Sequence, residues 1–75
     1  MKYTVKKGTK YQAEIKLGFL EKIASNETIQ KKFLEAGFVN VQVTGEGKSR
    51  TAVGEWIAPD ATADMPSQVA SVKVV

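Results

Sequence analysis

Histidine and cysteine are both absent from these 75 residues. With them go the commonest imidazole and thiolate metal ligands, the thiol nucleophile and the one side chain that ordinarily titrates near neutral pH. Without cysteine no disulfide can compensate for a small core, so packing, a partner or self-association must supply the stability, and secretion is disfavoured. Long apolar runs are missing too: nothing approaches the roughly 18 residues of a membrane span. The chain opens on Lys2 and then alternates polar and apolar residues, unlike the uninterrupted apolar core of a signal peptide, so the cytoplasm is the expected compartment.

What is present reads as one ordinary globular domain spanning 1–75, with 43% apolar and 25% charged residues, too apolar for wholesale disorder. A domain this small buries only about 60% of the surface its unfolded chain exposes, so nearly every large apolar side chain must serve the core. Little remains for a deep catalytic pocket. The net charge of +3 is unevenly spread: residues 1 to 16 hold Lys2, Lys6, Lys7, Lys10 and Lys16 against Glu14 alone. Such an excess suits either a polyanion footprint or the solvent side of an edge strand, where lysines block aggregation; its low density favours the second.

Alternation places Tyr11, Ala13, Ile15 and Leu17 on one face of a strand from Lys10 to Leu17, with Gln12, Glu14 and Lys16 on the other. Tyr3 and Val5 share the first parity, so the strand either begins near the N-terminus with a bulge at Gly8 or is interrupted there. Phe19, Leu20 and Ile23 have the spacing of a helical turn, or of a loop tucking apolar groups beneath a helix. Ser25 or Asn26 then supplies a helix N-cap, Glu27 suits the first turn, and Ile29, Phe33, Leu34 and Ala36 form a stripe ending at Gly37, the expected left-handed C-cap. The helix is expected over 26–36, with Phe33 at the centre of its buried face. Phe38 to Val43 is the next strand, with Val39, Val41 and Val43 on one face. Gly45-Glu46-Gly47-Lys48 signals a hairpin, Ser49 to Ala58 returns, residues 59–66 form a polar loop, and Val69 to Val75 make a last strand.

This order predicts an α+β fold of the β-α-β-β-β type, one helix on one face of a three- to four-stranded antiparallel or mixed sheet. The strand, helix and strand form a right-handed crossover, and the hairpin returns a strand between the two as in a split βαβ unit. In element order the arrangement resembles a ferredoxin-like fold whose second helix is replaced by the proline-flanked loop. Element order carries no function with it.

Candidate chemistry is sparse. Gly45 and Gly47 lack the following helix that phosphate loops need. Asp60 and Asp64 are too few and wrongly spaced for a calcium loop, the serines have no histidine to activate them, and a Ser–Lys dyad has no supporting motif. Asn26-Glu27-Thr28 matches a glycosylation acceptor, but helix capping explains the same residues. No catalytic residue, cofactor or metal is expected, and no membrane contact. Trp56 depends on the hairpin register. With a two-residue loop of Glu46 and Gly47, Ala52, Gly54 and Trp56 share the face beneath the helix. With a three-residue loop, Gly45 to Gly47 with Gly47 left-handed, Val53 and Ile57 do, and Trp56 points outward. Burying the two β-branched residues favours the second register.

The function expected is therefore non-enzymatic: a binding or assembly module presenting its uncovered sheet face to a protein partner or to itself as a homo-oligomer, with apolar contacts from Val53, Trp56 and Ile57 according to register. The alternative is a nucleic-acid binder that stacks a base on Trp56 and sets Lys10, Lys16, Lys48 and Arg50 along the phosphates. A third expectation, a small phage-type or accessory protein of unknown partner, comes from the shortness of the chain alone.

Overall fold

Alternating patterns over two strands, a capped helix and a glycine-rich hairpin assemble here around one four-stranded sheet. The computed structural model describes residues 2–18 and 24–75, so the turn read at Phe19, Leu20 and Ile23 lies outside the described residues. The elements run β1 (Lys2–Val5), β2 (Thr9–Lys16), α1 (Asn26–Ala36), β3 (Phe38–Glu46), β4 (Ser49–Trp56), β5 (Ala61–Asp64) and β6 (Val69–Val74). The large sheet has the order β3-β4-β2-β6, every neighbouring pair antiparallel. β2 and β3 thus run parallel on either side of β4, the expected split βαβ arrangement, and one helix on a mainly antiparallel sheet is the expected α+β class. β6 pairs with the free side of β2 and closes that edge of the order.

Gly8 interrupts the N-terminal alternation instead of bulging it. Its φ of 79° turns the chain, and β1 leaves the main sheet to pair antiparallel with β5, Lys2 facing Asp64 and Val5 facing Ala61. β5 lies in the stretch expected to be loop. Four residues of mixed polarity carry too weak a period to announce a strand, and their partners lie 56 to 62 residues away in register; only the closed structure creates it. The turn between β1 and β2 is tied down from that same side: Lys7 N–H donates to Asp60 Oδ1 at 2.7 Å and Gly8 N–H to the Trp56 carbonyl at 2.7 Å.

The helix begins and ends where its capping residues demand. Ser25 takes an extended backbone, and its Oγ accepts the Thr28 N–H at 3.1 Å. Gly37, at φ 117°, returns its N–H to the Phe33 and Leu34 carbonyls. The buried helix residue is Ile29, packed with Ile15 and Ala52. Phe33, expected at the centre, is half-buried at the edge of that cluster and meets Phe38 edge-on, ring centroids 5.8 Å apart. Leu34, expected in the buried stripe, is 47% exposed. The correction follows from where the helix lies: it packs chiefly against β3 near one end of the sheet, so only the residue aimed straight down is covered. At the other end β1 and β5 provide the cover, with Tyr3, Val5 and Ala61 against Tyr11 and Trp56.

β3 is not one regular strand. Val39 faces Glu55, yet Gln42 faces Val53, so Asn40 and Val41 together oppose Gly54 in a bulge, with Asn40 left-handed at φ 51°. The bulge overturns the expected single face of Val39, Val41 and Val43. Val41 is buried and Val43 packs on the helix cluster, but Val39 crosses to the open side beside Glu55 and Phe38 turns inward. The helix secures the irregularity, since Gln30 Nε2 donates to the Val41 carbonyl at 2.8 Å.

Candidate functional site

The hairpin register decides which residues face a partner, and it falls against the expectation. Glu46 faces Ser49, so the loop is the two residues Gly47 and Lys48, neither Glu46 and Gly47 nor Gly45 to Gly47, and Arg50, Ala52, Gly54 and Trp56 point beneath the helix and β1. Trp56 is 9% exposed. Its indole N–H donates to the Pro59 carbonyl at 2.9 Å, and its ring stacks edge-on against Phe38 at 5.0 Å. On sequence alone Ala52 and Gly54 count against this face, because they leave voids around one large ring. The bulge supplies the missing volume, for it brings Phe38 and Val41 over Gly54, where an added Cβ would sit 3.3 Å from Val41 Cγ2 and 3.4 Å from Phe38 Cβ. What remains is a mainly apolar cavity of about 20 Å³ bordered by Phe33, Met65 and Val72, with room for about one water.

Trp56 is therefore removed from the expected binding surface, while Val53, also assigned to it, lies on the opposite side of β4 from the tryptophan. Val53 is half-buried on the open face, paired with Gln12 and Gln42, and Ile57 just past the strand is 58% exposed. Val39 joins this face through the bulge, which no residue type in the sequence announced.

The remainder of the open face is polar and linked to itself. Gln12 Nε2 donates to Glu14 Oε1 and Thr51 Oγ1 to Glu14 Oε2, each at 3.1 Å, while Asn40 Nδ2 donates to Glu55 Oε2 at 2.5 Å. Lys10 faces Glu55 across the strands. Lys16 Nζ donates to Ser49 Oγ at 3.1 Å. That Ser–Lys contact lies exposed on a flat surface, without the desolvation by which a lysine activates a nucleophile.

The five residues of the nucleic-acid reading are not brought together. Lys10 and Lys16 stand on the open face and Lys48 in the hairpin loop, but Arg50 and Trp56 point to the other side. Arg50 is 6% exposed: its Nε donates to the Gly47 carbonyl at 3.1 Å and its Nη1 to Asn26 Oδ1 at 2.8 Å. Asn26 in turn donates to the Gly45 carbonyl at 3.0 Å, so the arginine and the asparagine lash the hairpin tip to the start of the helix. The described aromatic residues Tyr3, Tyr11, Phe33, Phe38 and Trp56 all belong to the packed side.

The acidic pair is also apart. Asp60 and Asp64 sit at opposite ends of β5, about 13 Å at the rise of a strand. Asp60 is engaged by Lys7 and lies 3.9 Å from Lys6 Nζ. Among the described residues no group of three or more acidic side chains converges, and no described helix is long and apolar enough to cross a membrane.

A second exposed feature is β6. It forms one edge of the sheet, and Val74, on the side of the packed face, is 63% exposed. Comparison with protein-family models, curated proteins and solved structures finds no match for this chain.

Proposed function

We propose that the protein is a non-enzymatic binding module that offers the open face of its sheet to a protein partner or to another copy of itself. The observation that carries this reading is the set of apolar residues about Glu55: Val53 before it on the open side of β4, Val39 opposite it on β3, and Ile57, 58% exposed, just past the end of β4. Exposed apolar residues gathered at one place, with a polar surround, mark interaction surfaces more often than isolated ones do. The polar remainder of the face suits the rim of such an interface, where hydrogen-bonding groups stay accessible. Enzymatic readings have less support, because the face is flat, its carboxylates are engaged with neighbouring amide and hydroxyl groups, and it offers no concavity that excludes water.

The test is site-specific photocrosslinking in the native host. A benzophenone side chain at Ile57 is expected to give a discrete adduct, and the same group at Lys31 on the outer face of the helix is expected to give none. Adducts of equal yield at both positions, or none at Ile57, would overturn the proposal.

A further inference from the structure

The two edges of the sheet are unlike. β3 is kinked by the Asn40–Val41 bulge, and Gln30 already occupies the Val41 carbonyl. β6 carries its irregularity at Ala70, which leaves Ser71 to Val74 in regular register with β2. Among the described residues no strand pairs with its outer edge. An edge of this kind is a template for another strand.

We infer that a second copy of this chain pairs antiparallel with β6, through a two-fold axis at Val72, to form a continuous eight-stranded sheet. The inference goes beyond the open-face reading and uses a different surface. Symmetry restricts the choices sharply. In an antiparallel pair, directly opposed residues point to the same side, so a two-fold dimer must place one residue opposite its own copy. An axis at Lys73 sets two ammonium groups face to face, which is unfavourable. An axis at Ser71 sets Lys73 opposite the valine at 69. The axis at Val72 places each Lys73 opposite the other copy's Ser71, whose neighbour across the sheet is Glu14, so each ammonium approaches a carboxylate. It also sets Val72 against Val72 and brings each Val74 beside the other copy's Val72, covering a side chain that is 63% exposed in the single chain. This register opposes Ala70–Val74 of the two copies, with Ser71, Val72 and Lys73 as its regular centre. Because the axis is perpendicular to the sheet, both open faces lie on the same side.

Sedimentation velocity on the whole chain tests this over about ten micromolar to about a millimolar, the span suited to an interface smaller than ~1,200 Å². A concentration-dependent dimer is expected. Ser71→Lys, on the exposed open side of β6 beside Glu14, sets two lysine pairs in opposition and is expected to weaken the dimer roughly three- to tenfold. Adding Lys73→Glu makes each opposed pair complementary and is expected to restore it, with circular dichroism unchanged throughout. A monomer across the full range, a dimer indifferent to Ser71→Lys, or a double variant that fails to recover would overturn the inference. Ile57→Ser, on the other surface, leaves this dimer intact.

Discussion

At the residue scale the structure concentrates its demands on Gly37. Two constraints meet there: φ of 117°, which L side chains seldom adopt, and the Trp56 ring, whose Cζ3 and Cη2 lie 3.0 and 3.1 Å from the site of an added Cβ. Gly8, at φ 79°, carries only the first, with nothing within 4 Å of the added atom. The pair separates backbone cost from packing cost. Gly8→Ala is expected to lower stability by about 1 kcal/mol through the left-handed penalty. Gly37→Ala should cost about 2 to 4 kcal/mol, since the indole must also give by a few tenths of an ångström against Phe38. Urea denaturation of both variants measures the difference, and equal losses would show that the ring accommodates the methyl group freely. The left-handed glycine at 37 was legible from its place after an apolar stripe. Its contact with Trp56 was not, because it joins residues 19 apart in the chain that meet only when β4 returns.

At the scale of elements, the helix tests how far an apolar stripe predicts burial. Ile29, Phe33 and Leu34 all fit a helical period, yet Ile29 is buried, Phe33 half-buried and Leu34 half exposed. A period assigns residues to a face, and the crossing of helix and sheet determines how wide a strip of that face is covered. Ile29→Ala is accordingly expected to cost about 2 to 4 kcal/mol, and Leu34→Ala less than about 1 kcal/mol. Thermal and urea midpoints of the two variants provide the check; a larger loss at Leu34 would mean that the helix sits rotated from the position described. β3 teaches the complementary lesson. Its alternating valines suggest an unbroken strand, and the left-handed Asn40 breaks the alternation in the middle, sending Val39 to one side and Phe38 to the other. Asparagine tolerates that conformation better than most residues, but its presence in a strand is not by itself a signal of a bulge.

At the scale of the whole molecule, three of the five lysines in the basic N-terminal segment lie opposite acid. Lys2 faces Asp64, Lys6 lies 3.9 Å from Asp60, and Lys10 faces Glu55, each partner coming from the second half of the chain. A charge excess that is conspicuous along the sequence is thereby divided among neighbours of opposite sign in space. Binding to single-stranded or duplex oligonucleotides is consequently expected to be weak at low salt and absent near physiological salt. Fluorescence anisotropy at several ionic strengths measures this. Saturable binding with a log–log salt slope near −4, as for about five neutralised phosphates on a duplex, would return the lysines to a nucleic-acid role.

From the sequence by itself came the α+β class, the helix with both caps, the hairpin, and the split order of strands around it, because each depends on residues within a few positions of one another: a hydroxyl before a helix, a glycine after it, a period of two or of 3.6. Tertiary structure decided the hairpin register, the pairing of β1 with β5, the inward turn of Trp56 and the edge position of β6. These depend on volume and on distant partners. Ala52 and Gly54 seem to argue against a buried tryptophan until the bulge in β3 brings Phe38 over them, and a one-residue shift in a strand costs nothing locally while it reverses every side chain.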